Sequence, residues 1–453
     1  MKSHMKINMP PYVTFILDRL EKGGFQAYIV GGSIRDILLD KEPNDFDITT
    51  NAMPDYIEKI FEDKKTINVG REFGTIKVIV DDKEVEVTTF RKEGNYSDGR
   101  RPEWIEFVPD IEDDLARRDF TINAMAYNKK TGIVDPFNGK KDLENKIIRS
   151  VGNPIERFKE DYLRILRAVR FSTSLDFEIE DETFKAGKKY SSNISKVSVE
   201  RITEEFFKII LSPKPSKGIN YMKELDLLDI VLPEIVPAIG FNQQNPHHDK
   251  DVYNHILCVV DSAPPILKIR LAALFHDMGK PHTLSVDEKG IGHFYGHDKI
   301  GSEIAKKALK RMKAPGKLTE QVAILIREHM THHAKFKEKG LKRLIRRVGI
   351  ENIHDLFELQ KADRKCSNKN ASIEHILDME KKVDNILEKK EVYEINQLNI
   401  DGEDLIEIGF KEGKIIGDIL EYLLEKVMEN PSINKREELE KLALKKYATK
   451  PYI

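Results

Sequence analysis

The 453-residue chain has only two cysteines and one tryptophan. Cys258 and Cys366 stand far apart and outside any Cys-x-x-Cys pattern. That spacing predicts a reducing compartment with no disulfide framework. No apolar run is long enough to cross a bilayer, and no secretory leader pattern is found, so the cytoplasm is the expected location and no membrane partner is expected. The stretch Met1 to Met5 reads as a remnant ahead of a native start. Net charge is lacking too: 75 Lys and Arg face 77 Asp and Glu, a formal −2. This balance neither requires nor excludes a polyanionic partner, so any basic surface must be local. Internal repeats and low-complexity tracts are absent. One core does not suffice at this length, and two to four domains are expected.

What is present starts at residues 28–50. Tyr28 to Val30 reads as an apolar strand running into Gly31-Gly32, with a short helix from Ser33. Two glycines at such a turn let backbone approach a ligand closely, and the helix start offers N–H groups to an anion. After a Pro43-Asn44 turn, Asp45 and Asp47 sit two apart in a predicted second strand. That spacing puts both carboxylates on one face. Like charges so close call for a cation, and Mg²⁺ suits oxygen ligands. Either feature alone is common in turns and surface strands. The ordered pair within twenty residues is far more specific.

Helices are predicted over residues 11–23 and 51–61, and a hairpin over 75–90, with Val85 and Val87 facing the core and Glu84 and Glu86 opposite. Residues 91–104 read as a long Gly-, Asp- and Arg-rich loop. Arg117-Arg118-Asp119-Phe120 leads to Asn123; paired guanidiniums suit a triphosphate, and Asn123 suits a ribose hydroxyl. Residues 155–171 read as one helix on which Asp161 and Arg164, three apart, project together. An ordinary ion pair at that spacing is worth only about 0.2–0.5 kcal/mol. A carboxylate beside a guanidinium also matches the edge of cytosine.

Gly31 to Asp36 together with Asn44 to Thr50 resembles the signature of the nucleotidyltransferase superfamily. More narrowly, it is similar to the class II (bacterial) CCA-adding tRNA nucleotidyltransferases and their poly(A) polymerase relatives. Arg117 to Ala124 and Glu160-Asp161-x-x-Arg164 resemble two further blocks of that family. The resemblance implies Asp45 and Asp47 as catalytic Mg²⁺ ligands, with Glu86 as a third acid. It implies nucleotide binding by Gly31, Gly32, Ser33, Arg35, Arg117, Arg118, Asp119, Asn123, Asp161, Arg164 and Arg167, with Glu200-Arg201 as internal support. The 91–104 loop resembles one found in CCA- and A-adding members.

A second motif set follows. His255 lies on an amphipathic helix, the His276-Asp277 doublet and His297 come next, then His329, and Asp363 sits in a helical segment. One histidine on an apolar helix is usually a core residue, but several on separate helices suit a divalent transition metal or Mg²⁺. The set resembles the HD phosphohydrolase domain, with His255, His276, Asp277 and Asp363 as ligands and His297 and His329 as a second-metal or phosphate-binding set. Residues 311–347 hold eleven Lys and Arg against three Glu, a local excess able to neutralise phosphates. The end of the chain resembles the tail of Gram-positive CCA-adding enzymes, with Lys445, Lys446 and Lys450 toward tRNA.

The expected architecture is α+β: a mixed-sheet catalytic head (1–140), then an all-helical neck (141–212), a body with the HD domain (213–370) and a tail (371–453). The implied function is template-independent addition of CCA to tRNA from CTP and ATP. An A-adding enzyme or poly(A) polymerase is the alternative within the class. An HD phosphodiesterase or phosphatase with a nucleotide-sensing head is the alternative outside it.

Overall fold

The computed structural model describes residues 7–94, 104–243, 251–334, 336–367 and 372–447. Most of the 91–104 loop, with Lys335 and Lys450, lies outside them. The chain divides into two compact units, Met1–Val236 and Pro237–Ile453.

The first unit is built on a mixed sheet. Its strands are β1 (Ala27–Val30), β2 (Asp47–Thr50), β3 (Lys65–Gly70), β4 (Thr75–Val80) and β5 (Lys83–Thr89), followed, after a separate hairpin of β6 (Arg91–Glu93) and β7 (Ile105–Phe107), by β8 (Ala126–Asn128) and β9 (Gly132–Val134). The order is β3-β4-β5-β2-β1-β8-β9. Within it β2 and β5 pair in parallel while the other neighbours are antiparallel. Helix α1 (Pro11–Lys22) starts at a proline, where the missing N–H costs nothing, and buries Val13, Ile16, Leu17 and Leu20. These pack with Ile29, Ile48, Val78, Val85 and Val87 of the sheet. The predicted alternation in β5 holds, with both valines buried and both glutamates exposed. Helices α2 (Gly32–Leu38), α3 (Pro54–Ile60), α4 (Ile111–Ala116) and α5 (Gly139–Glu144) complete the head, and α6 (Pro154–Glu160) to α11 (Leu228–Val231) continue without a sheet of that size.

Two local expectations change. Asp45 precedes β2 instead of lying in it. The helix predicted over 155–171 is two helices, α6 and α7 (Leu163–Leu175), because Asp161 is extended (φ −149°, ψ 105°). Its Oδ1 accepts from the Leu163 N–H at 3.0 Å, so this aspartate starts a new helix instead of continuing the old one.

The second unit is helical: α12 (Val252–Ser262), α13 (Leu267–Phe275), α14 (His297–Arg311), α15 (Gly316–Glu328), α16 (Glu338–Val348), α17 (Ile353–Ser367) and α18 (Glu374–Glu388). The closing helices α19 (Gly402–Glu407), α20 (Lys414–Glu429) and α21 (Arg436–Tyr447) enclose a core of their own around Leu405, Leu423, Leu424 and Leu439. The cysteines correct the sequence reading. Cys258 on α12 and Cys366 on α17 form a disulfide although 108 residues separate them. Pairing of these two helices, invisible in sequence spacing, brings them together. The basic run is corrected as well. Five of its cations are engaged inside the unit: Lys339 and Arg343 with Glu425, Arg346 with Glu421, Arg347 with Glu328 and Lys342 with Glu391. Much of that charge therefore docks α16 against acids of this same unit.

Lys342 is fully buried, with its ammonium 2.7 Å from Glu391. Removing one partner of such a pair strands the other charge and costs about 3–5 kcal/mol. Lys342→Met should lower the denaturant midpoint of the second unit, and adding Glu391→Gln should recover most of the loss. A single variant as stable as the parent would contradict the pairing.

Candidate active sites

In the first unit a cleft of about 520 Å³ gathers Gly31, Gly32, Arg35, Asp45, Asp47, Arg117, Arg118, Asp119, Asn123, Asp161, Arg164 and Arg167. Pairing of β1 with β2 sets Val30 opposite Asp47, which puts the glycine turn beside the acids. Gly31 has φ +74°, and a Cβ there would lie 2.9 Å from Arg118 Nη1. The positive φ is what calls for glycine here, and any side chain would also have to displace the tip of Arg118. Ser33 does not reach the cleft; it is buried and its hydroxyl donates to the Val30 carbonyl at 3.1 Å.

Asp45 and Asp47 flank buried Phe46 and open to the cleft. The parallel register places Glu86 directly beside Asp47. Burial, and then the neighbouring charge of Asp45, push the Asp47 carboxyl up from 3.8 to about 6, against the pull of Arg118. Oxygen donors that repel each other this strongly fit a divalent cation.

The arginines are held from behind. Arg117 donates to Asp114 at 2.9 Å and to Glu93 at 2.7 Å. Arg118 stays 3.7 Å from Asp114, and among the described residues its buried Nε has no hydrogen-bond partner. Burial lowers its pKa although Asp114 opposes this. Such a donor suits an incoming polyanion. Arg35 donates to Asn123 at 2.8 Å. Asp119 is the hub. Burial would raise its pKa, but the two-point contact with Arg167, at 2.8 and 2.5 Å, holds it down at about 2. Its other oxygen accepts from Asn123 and from the Phe120 N–H.

Asp161 and Arg164 both face the cleft, but they do not form the ion pair that their spacing permits. Asp161 is paired with Arg201 at 2.7 Å. Arg164 donates to Glu160 at 2.7 Å and to the Arg117 carbonyl at 3.0 Å. Sequence reasoning missed Glu93, Arg170 and Phe171 as cleft residues and Glu205 as the acid behind Arg167 and Arg170. The charge of Glu93 within a basic loop was the one available signal.

In the second unit the histidine set converges. His276, His297 and His329 each place Nδ1 2.6–2.7 Å from the carbonyl three residues earlier. This fixes the tautomer and turns Nε2 inward. His255 Nε2 lies 3.0 Å from Asp363 and 3.3 Å from His276 Nε2. His297 Nε2 lies 3.3 Å from His329 Nε2. Asp277 joins both sets: Oδ2 is 3.3 Å from His276, and Oδ1 is 3.5 Å from His297. His255, His276 and Asp277 form one candidate metal group, and Asp277, His297 and His329 a second. Burial lowers His297 and holds His329 at about 3, which keeps these imidazoles neutral and available as ligands. The four residues read as ligands and the two read as a further set thus form one cluster. The neighbouring cavity, about 530 Å³, adds Lys280, Tyr295, His332, His333 and Arg364.

Comparison with known proteins places the chain among relatives. Family models match at residues 27–149 (Poly A polymerase head domain), 176–239 (probable RNA and SrmB-binding site of polymerase A) and 252–364 (HD domain). The chain is 33% identical over 425 residues, 93% of each chain, to the CCA-adding enzyme of Streptococcus agalactiae. It is 47% identical over 235 residues to that of Pediococcus pentosaceus, a stretch covering 52% of this chain and 57% of that relative. The crystal structure of the Bacillus stearothermophilus CCA-adding enzyme in complex with CTP is similar at a TM-score of 0.75 and 25% identity, covering 97% of this chain and 99% of that one.

The raised Asp47 pKa carries a sign. A carboxyl protonated more readily in the folded state loses stability as pH rises, here from about 3.8 to about 6, and the whole cost stands at neutral pH. A divalent cation such as Mg²⁺ should therefore raise the melting temperature more at pH 7.5 than at pH 5. Asp47→Asn should shrink that gain, and a gain indifferent to both would locate the cation elsewhere.

Proposed function

The chain belongs to the family of CCA-adding enzymes, and on that premise we propose that it adds CCA to the 3′ end of tRNA, using CTP and ATP without a nucleic-acid template. One observation carries the reading: the carboxylates Asp45 and Asp47, the arginines Arg117 and Arg118, and the base-facing Asp161 and Arg164 line a single cleft. A phosphohydrolase with a nucleotide-sensing head has no use for that combination.

Asp45, Asp47 and Glu86 are the residues to hold Mg²⁺. When bound, it supplies Lewis acidity toward the terminal RNA hydroxyl and the α-phosphate. The protein's part is orientation. Arg35, Arg117 and Arg118 take the triphosphate, and the uncompensated Arg118 Nε gains a partner on binding. Asn123, held between Arg35 and Asp119, sits to meet the ribose. Asp161, clamped by Arg201, offers acceptor oxygens to the exocyclic amino group that cytosine and adenine share. Arg164 offers its unused N–H groups to the ring acceptors. Because Asp161 and Arg164 are each braced by another residue, neither must break a mutual ion pair to read a base.

The second cluster supports a second proposed activity, hydrolysis of a phosphoester at a divalent metal, a transition metal or Mg²⁺, held by His255, His276, Asp277 and Asp363. His297 and His329 share Asp277 as a second-metal or phosphate-binding set. The finer division proposed for the chain is head 1–140, neck 141–212, HD-containing body 213–370 and tail 371–453, with the tail on the tRNA. The tail lysine Lys446 lies 3.7 Å over the Tyr422 ring.

Incubation with tRNA lacking CCA, tRNA ending in CC and an unrelated oligonucleotide separates the candidates. The first two should accept nucleotides and the third should not; failure to incorporate CTP would leave an A-adding enzyme or poly(A) polymerase. Asp47→Ala should reduce incorporation by about a thousandfold or more, since it removes a metal ligand from the reacting centre. His276→Ala should leave incorporation intact while lowering bound metal, measured by elemental analysis, and abolishing phosphoesterase activity. Loss of incorporation in His276→Ala, with retention in Asp47→Ala, would favour the hydrolase reading.

A further inference from the structure

The neck carries a cluster of side chains that neither the catalytic acids nor the base-facing pair uses. Tyr162, next in the chain to Asp161, stacks on Tyr190 with ring centroids 6.5 Å apart and planes 30° apart. The ammonium groups of Lys159 and Lys189 lie 5.6 and 5.7 Å from the Tyr190 ring centre, and that of Lys196 lies 5.6 Å from the Tyr162 ring centre. The contributors come from α6, the α6–α7 junction, the end of α8 (Asp181–Tyr190) and the turn Ser191–Lys196. Folding assembles the cluster, not a charged run.

Its charge is uncompensated. Nearby, Lys185 pairs with Glu182 and Lys188 with Asp226. Among the described residues no carboxylate pairs with Lys159, Lys189 or Lys196, all of which are exposed. Three ammonium groups around two stacked, half-buried rings repel one another and call for an anionic partner. The complementary ligand has phosphates at regular spacing and exposed aromatic faces, which describes single-stranded nucleic acid. A duplex hides its base faces, and a free nucleotide offers too few phosphates to reach three separated lysines.

We propose that Tyr162 and Tyr190, with Lys159, Lys189 and Lys196, form a subsite for the single-stranded 3′-terminal stretch of the RNA acceptor, just upstream of its reacting end. Placement supports this, since the peptide bond after Asp161 joins a cleft residue directly to the ring stack. The subsite rests on the reading of the acceptor as RNA. It goes beyond the matched RNA-binding segment, which begins at residue 176 and excludes Lys159 and Tyr162.

The test uses the full chain and two probes, a fluorescent single-stranded RNA hexamer ending in CC and tRNA ending in CC. Tyr190→Ala should weaken hexamer binding about tenfold and raise the KM for tRNA, because base–aromatic stacking is lost. Tyr190→Phe, which keeps the ring, should bind like the parent, and the KM for ATP should not move in either variant. Replacing Lys159, Lys189 and Lys196 together by Gln should reduce the slope of log affinity against log salt by about 2. Parental affinity and salt slope in the Tyr190→Ala and triple-Gln proteins, with the parent extending tRNA, would overturn the subsite and leave the catalytic reading standing. A parent that neither binds the hexamer nor extends tRNA would overturn both.

Discussion

The contact on which the first unit depends most is the one between Asp119 and Arg167. Asp119 follows the paired arginines of the head, and Arg167 sits in the middle of α7. Asp119 is buried and Arg167 half-buried, so breaking their two-point contact would strand the Asp119 carboxylate. Glu205 of α9 (Val199–Ile210) holds the far side of Arg167 and pairs with Arg170. Asn123 hangs from the same aspartate. One lattice of ion pairs and hydrogen bonds thus ties Asp119, Asn123, Arg167, Arg170 and Glu205 into one frame.

That lattice explains how a cleft so rich in charge can be stable before any substrate arrives. Each cation facing inward is held from behind: Arg117 by Asp114 and Glu93, Arg164 by Glu160, Arg167 by Asp119. Two groups escape the pattern. Asp47 keeps a strained ionisation beside Asp45, and Arg118 keeps an Nε with no partner among the described residues. The residual imbalance therefore sits where a cation and a polyanion would meet, and preorganised charge of this kind spares reorganisation when the reaction begins. The second unit reaches a comparable state by setting imidazoles against the carboxylates Asp277 and Asp363. Backbone carbonyls fix the Nδ1 side of three imidazoles; burial holds His297 and His329 neutral, whereas at His276 burial is outweighed by the Asp277 carboxylate, which raises its pKa.

The parts legible in the sequence were those in which spacing maps onto one element. Alternation in residues 83–89 named the buried valines, and the glycine turn with its two acids named the cleft. The histidine doublet and its distant partners were legible as chemistry, but their shared dependence on Asp277 was not, because five helices had to be placed first. Long-range pairing defeated the reading elsewhere. Cys258 and Cys366 meet only because α12 packs on α17, and the charges of α16 meet Glu421 and Glu425 only because α20 comes to lie beside it. Composition alone cannot tell a basic face awaiting phosphate from one that already has its acids.

The break at Asp161 shows the limit of periodicity most sharply. Residues 155–171 carry a continuous helical pattern, and an aspartate is only mildly unfavourable inside a helix. Here its side chain caps the next helix, and Arg201 takes its second oxygen. A continuous helix would have left Asp161 and Arg164 as neighbours on one face, free to neutralise each other. The interruption gives each its own brace and leaves both lining the cleft, with no ion pair between them among the described residues. The same interruption puts half-buried Tyr162 at the turn, so the residue that breaks the helix lies one peptide bond from the ring stack.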